Sequence, residues 1–154
     1  MSRAHLRHKP NKLGPATIAS SSEDFNRLAH AVGTVPNLEF AILTGSRASG
    51  SARHSSDWDI AVLWRPASAG AGALGSLERL GRHESLRRAL AQAITLDEGL
   101  IDLIDLAQAG LAMKAAVAEE GQVICINDEL AWAHFQTRTW RELEDFYWDQ
   151  AHAA

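Results

Sequence analysis

The sequence predicts an α/β protein of the α+β kind: a small mixed sheet of about four strands, flanked by helices, with a long helix at the C-terminal end. Three observations lead there. Short apolar runs of strand length alternate with segments of helical period. The two runs Leu38–Thr44 and Trp58–Trp64 are joined by a stretch too short for a crossover helix, so they are expected antiparallel or locally splayed, in a mixed sheet rather than a doubly wound parallel one. With 154 residues, 46% of them hydrophobic, the chain can bury one ordinary core and has no room for a second domain of usual size.

The elements follow in order. Residues 1–17 mix Arg3, Arg7, Lys9, Lys12, His5 and His8 with Pro10 and Pro15 and show no apolar period, so they read as a flexible basic arm; residues 18–150 form the single domain. Ser20/Glu23 and Ser21/Asp24 have capping-box spacing ahead of Phe25, Leu28, Ala29 and Val32, which predicts a first helix to about Val32. Gly33 to Pro36 ends it, and Leu38–Thr44 is a strand stopped by Gly45-Ser46. A short helix or turn fits Arg47 to Ala52, and Trp58–Trp64 is the second strand. Pro66 to Gly75 is a loop of small residues. Leu77, Leu80, Leu86, Leu90 and Ile94 mark a long helix with a possible disturbance at Gly81. Leu100–Leu106 reads as a third strand, Gln108–Glu120 as a helix, Gln122–Ile126 as a fourth strand, and Asp128 to about Gln150 as the last helix.

Composition excludes several functions. Lys+Arg 15 against Asp+Glu 19 gives a net charge of −4, so the average field does not attract a phosphate backbone and no direct nucleic-acid partner is expected. No apolar stretch reaches membrane-span length and the basic N-terminus lacks a signal-peptide core, which makes the cytoplasm the expected compartment. The single cysteine, Cys125, lies in an apolar run and reads as a buried, inert thiol.

One constellation carries chemistry. Gly45-Ser46 is followed, ten residues later, by Asp57-Trp58-Asp59, in the pattern strand, tight turn, short helix, strand. A glycine at a strand end lets backbone N–H groups approach phosphate oxygens, and Ser46 can donate its hydroxyl to the same phosphates. Strand alternation points Asp57 and Asp59 the same way, and two carboxylates on one face are hard oxygen ligands for Mg²⁺. Such a pair can hold metal that bridges a triphosphate and neutralises the leaving pyrophosphate. A third carboxylate is available in Leu100–Leu106, where Asp102 and Asp105, at odd separation, face opposite ways. Asp102, near the middle of the strand, is taken as the third ligand and as proton acceptor; Asp105 can cap the next helix or reach water at the strand end. Arg47 either clamps a phosphate or pairs with Asp105 on the surface. His54 reads as a solvated loop residue.

Gly45-Ser46-Arg47-Ala48-Ser49-Gly50, then Ser56-Asp57-Trp58-Asp59-Ile60-Ala61-Val62, with Ile101-Asp102-Leu103-Ile104-Asp105-Leu106 downstream, resembles the minimal nucleotidyltransferase (MNT) family and its MntA-type antitoxins. The match spans roughly Phe40 to Ile126. The resemblance implies the polymerase-beta-like nucleotidyltransferase fold, Mg²⁺, and ATP as donor. It also implies a HEPN ribonuclease toxin as protein partner in a hetero-oligomer, silenced when the antitoxin adenylylates its tyrosine. The family's glycine and serine correspond to Gly45 and Ser46, its metal-binding aspartates to Asp57 and Asp59, and its third carboxylate to Asp102. Many relatives carry arginine where Ser49 stands, and Trp58 is bulkier than the usual aliphatic residue between the aspartates.

Two other readings stay in view: an antitoxin that neutralises its partner by steric binding with little or no catalysis, and a small-molecule (antibiotic) nucleotidyltransferase. The last helix bears on the choice. Trp132, Phe135, Leu143 and Phe146 form a stripe expected to pack on the sheet, whereas Trp140, Tyr147 and Trp148 cannot share that face and suit a protein interface.

Overall fold

Four strands make one mixed sheet in the order β3-β2-β1-β4, with β1 at Leu38–Thr44, β2 at Trp58–Trp64, β3 at Ile101–Asp105 and β4 at Gln122–Ile126. The structure, a computed structural model, describes residues 15–53, 55–67 and 72–153. β1 pairs antiparallel with both β2 and β4, and β2 pairs parallel with β3. The mixed sheet and the antiparallel β1–β2 pair are therefore as the short connection requires. The helices are α1 (Pro15–Gly33), α2 (Gly45–Ala48), α3 (Gly72–Ala93), α4 (Leu111–Glu120) and α5 (Glu129–His152), with a 3₁₀ turn at Glu98–Leu100.

Strand alternation divides the core in two. On one face Ala41, Leu43, Trp58, Ile60, Val62 and Trp64 pack against Leu28 and Val32 of α1 and Leu86, Leu90, Ala91 and Ile94 of α3. On the other face Phe40, Ile42, Ala61 and Leu106 meet Val117 of α4, with Trp132 and Phe135 of α5 around them. Both α5 rings lie close to Phe40, with centroids 5.0 and 5.4 Å away. Burying aromatic area this way is the main tie between α5 and the sheet.

Several boundaries differ from the sequence reading. α1 begins at Pro15, five residues before the serine caps, because proline tolerates the first helical turn; residues 15–17 are thus helix rather than arm. The rest of the arm, His54 and residues 68–71 of the small-residue loop lie outside the described residues. α2 is Gly45–Ala48, not Arg47–Ala52: the chain turns into helix directly at the strand end. α3 runs through Gly81 without a break and starts within the stretch read as loop. The helix placed at Gln108 starts at Leu111, since Asp105 Oδ1 accepts from Ala107 N (3.0 Å) and holds a turn there, and Gly110 is the N-cap. Asp105 thus caps a turn and not the next helix. Cys125 is half-buried rather than buried, with its thiol 3.3 Å from Asn127 Oδ1. Within the α5 stripe, Trp132 and Phe135 pack as expected, but Phe146 is 47% exposed because α5 outruns the sheet. Trp140, Tyr147 and Trp148 are exposed, as their spacing required.

Candidate active site

β1 delivers the chain to Gly45 in an extended conformation, and Gly45 itself turns it at φ +70 into the single turn of α2. A side chain is doubly excluded at this position. The left-handed backbone disfavours a Cβ, and a Cβ built there would collide with Oδ2 of Asp59. Thr44, the N-cap of α2, makes no side-chain cap hydrogen bond. The first N–H groups of a helix have no intrahelical acceptor, so this turn offers donors beside a carboxylate.

Strand register brings the predicted residues together. Asp59 is the partner of Thr44 on one side and of Asp102 on the other. Paired residues share a face, so Asp59 and Asp102 project together from the face that carries Ala61, and Asp57, two residues before Asp59 in extended backbone, lies on the same side. Burial pushes the Asp59 carboxyl above its ordinary range; the negative charges of Asp102 and Asp57 push it further, and Arg47 pulls it back. Asp105 is on the opposite face, 3.8 Å from Nε of Arg79. The choice of Asp102 over Asp105 as neighbour of the pair thus follows from register.

The donor chemistry of this cluster fits a hard divalent cation: three carboxylates on one face, one of them held toward its neutral form by burial and by the charges of the other two. They do not form a closed cage. Among the described residues, no three acidic, histidine or cysteine side chains converge on one ion position. Mutual repulsion accounts for carboxylates that share a field without touching, and rotation of side chains at the exposed Asp57 and Asp102 suffices to bring them in.

Arg47 does not pair with Asp105, which has Arg79 beside it instead; Arg47 reaches the strap that leads into β2. Its Nη2 donates to Ser56 O at 2.7 Å, and Nε donates to Ser56 O and Asp57 O at 3.2 and 3.3 Å. Its guanidinium carbon stands 4.3 Å from the centre of the Trp58 ring. Trp58 faces the core opposite its flanking aspartates, which explains how so large a side chain fits between them. Gln122 at the start of β4 donates to Ala48 O at 3.3 Å and pins the other end of the turn. Neither contact is visible from local spacing; the only sequence signal for the first is an arginine and a tryptophan flanking the same loop. Ser49 lies 2.9 Å from the Ser51 hydroxyl and donates to Ser46 O at 3.2 Å.

A groove of about 1180 Å³ opens elsewhere, lined by Trp64, Arg79, Asp105, Lys114, Arg138 and Glu142 among others, and none of Gly45, Ser46, Arg47, Asp57, Asp59 and Asp102 lines it. The carboxylate cluster sits at the other end of β2.

The tight Gly45 turn thus stands beside Asp57 and Asp59 at the start of β2, with Asp102 on the adjacent parallel strand β3. Residues 26–130 match the family described as "Polymerase beta, Nucleotidyltransferase". The chain belongs to this family. Among solved structures, it is similar to a chain of a toxin–antitoxin complex with AMP-PNP, at 23% identity and a TM-score of 0.59, covering 82% of this chain and 93% of that one. It is also similar to a chain in the complex of tri-AMPylated Shewanella oneidensis HEPN toxin with MNT antitoxin, at 21% identity and TM-score 0.56, over 85% of this chain and 93% of that one. A chain of the MntA–HepT toxin–antitoxin structure matches at 22% identity and TM-score 0.54, over 83% and 92%. These likenesses establish the fold. Comparison with curated protein sequences gives no match. Among the described residues, no helix is long and apolar enough to cross a membrane.

Proposed function

We propose that the chain is the antitoxin of a HEPN/MNT pair and neutralises its ribonuclease partner by transferring AMP from ATP to a tyrosine hydroxyl of that partner, in the cytoplasm. The observation that carries this reading is the register that sets Asp59 beside Asp102 on one side and beside the Thr44–Gly45 corner on the other. The backbone donors of the turn and the carboxylates then lie side by side at one end of the sheet. Backbone N–H groups at Gly45 and Ser46, with the Ser46 hydroxyl, hold the triphosphate. Asp57, Asp59 and Asp102 would hold Mg²⁺, which when bound supplies charge neutralisation for the departing pyrophosphate.

Asp102 accepts the proton of the incoming hydroxyl. That oxygen forms a bond to the α-phosphorus, the bond from the α-phosphorus to its bridging oxygen breaks, and pyrophosphate leaves with the electron pair. The cluster lies at an exposed end of the sheet and outside the large groove, which supports an acceptor that brings its own surface over a small molecule enclosed by the chain. The exposed aromatic residues of α5 support a protein partner as well.

The test is incubation with labelled ATP, Mg²⁺ and the candidate ribonuclease. Label should appear on the partner's tyrosine, and the Asp57→Asn, Asp59→Asn double variant should abolish it; transfer that survives the double variant sinks the site. One observation favours a second reading, neutralisation by binding alone: the three carboxylates do not form a closed ligand cage. Full neutralisation of the ribonuclease with no nucleotide present would establish that alternative.

A further inference from the structure

Arg47 grips the strap between the Gly45 turn and β2. Its position is set from below by Trp58 and from the side by α2, which is only four residues long and carries Arg47 as its third residue. From there the guanidinium reaches back across nine residues to the Ser56 carbonyl and across ten to that of Asp57. Among the described residues, short-range bonds also hold the strap: Arg53 N to Ser56 Oγ at 2.8 Å, and Ser56 N to Arg53 O at 3.0 Å. Nothing among these contacts fixes the plane of the Asp57 peptide except Arg47.

We infer that Arg47 is a positioning residue: its fork, seated on the Trp58 ring, holds the Ser56–Asp57 backbone so that the Asp57 carboxylate is aimed at the cation site, and it couples that aim to the α2 turn. An arginine suits this role, because a planar fork can meet two carbonyls while its face lies on an aromatic ring, and an ammonium cannot. The ring matters equally. An aliphatic residue between the aspartates would fill the core but give the guanidinium no flat seat, so Trp58 is the specific partner of this arrangement and not an oversized spacer. Because Arg47 and the phosphate-facing Gly45 and Ser46 share one helical turn, a nucleotide that moves the turn also moves Asp57.

This inference rests on the metal-site reading proposed above, and its test separates the two. The probes are Mn²⁺ alone, followed by electron paramagnetic resonance, and ATP alone in the presence of a chelator, followed by calorimetry. The wild-type chain, Arg47→Gln and Arg47→Lys are compared, with melting temperatures recorded; Arg47→Lys, which keeps charge and stem, covers the case in which Arg47→Gln does not fold. A residue that orients a metal ligand typically costs 10–100-fold in metal affinity when removed, so Mn²⁺ affinity should fall at least about tenfold in both variants. Metal-free ATP affinity should change less than about twofold, since the phosphate turn keeps its backbone donors.

Four outcomes overturn the inference. A large loss of metal-free ATP affinity, restored in Arg47→Lys, would make Arg47 a phosphate clamp. Mn²⁺ affinity that rises in Arg47→Gln and is unchanged in Arg47→Lys would make it only a neighbouring charge that repels the ion. Wild-type protein that binds no Mn²⁺ would remove the metal site itself and this role with it. Wild-type binding with unchanged affinity in both variants defeats the positioning role alone.

Discussion

Asp102 and Asp105 lie three residues apart on one strand and live in opposite surroundings. Asp105 ends β3, accepts a hydrogen bond from Ala107 N at 3.0 Å, and has Arg79 at 3.8 Å. It has structural work and an opposite charge. Asp102, on the other face, has Asp59 as its register partner, and its charge helps push the Asp59 carboxyl up. The fold supplies a cation for the first and stacks like charges around the second. An arrangement that raises the energy of the folded chain at one end of a strand, three residues from one that is satisfied, points to a ligand that arrives from outside.

The largest expected effect breaks this contrast directly. Losing both Asp57 and Asp59 should lower AMP transfer by more than about 100-fold, because loss of outer-shell partners of metal ligands alone costs 10–100-fold. Asp102→Asn should behave similarly, while Asp105→Asn leaves transfer intact and lowers stability by about 1 kcal/mol or less, as expected for a half-exposed ion pair and one turn bond. Steady-state transfer assays with thermal unfolding of the same samples check this. Equal losses at Asp102 and Asp105 would mean that face does not matter and that the site is misplaced.

A second comparison sets Gly45 against Gly50. Both have positive φ, +70 and +76, but a Cβ at Gly50 meets nothing within 4 Å while one at Gly45 collides with the Asp59 carboxylate. Gly50→Ala should cost only the left-handed backbone, about 1–2 kcal/mol. Gly45→Ala adds a clash with the carboxylate and should also abolish nucleotide binding, measured by calorimetry with ATP. Similar behaviour of the two variants would show that Gly45 serves the turn and not the site.

These comparisons also show what the sequence could reveal. Strands, their antiparallel pairing and the faces of Asp57 and Asp59 followed from alternation and from a short connection, both local properties. Asp102 was separable from Asp105 for the same reason. Helix starts were less legible: α1 begins at Pro15 although the serine caps stand later, and α4 yields three residues to a turn held by Asp105. The role of Arg47 was out of reach, since a grip on backbone carbonyls leaves no mark on residue type at the carbonyl end. Likewise Gln122 touches α2 across 74 residues of chain, a contact that only the placement of β4 beside β1 creates.

The smallest effect concerns stability and pH. Burial first, then Asp102 and Asp57, raise the Asp59 carboxyl above its ordinary value of 3.8. Between that value and the raised one, the folded chain keeps a proton that the unfolded chain has released. Unfolding then releases protons, so stability falls as pH climbs through this window and stays lower above it. Asp59→Asn carries no such ionisation. At neutral pH it should melt a few degrees above the wild-type chain, and the gap should close as pH falls below the ordinary carboxylate range. Mg²⁺ should raise the melting temperature of the wild-type chain at neutral pH and leave the variant unchanged, since only the former gains by binding a cation among its carboxylates. A variant that is less stable than wild type at neutral pH would mean that the Asp59 carboxylate is held by favourable contacts. The contrast between the two ends of β3 would then have to be drawn differently.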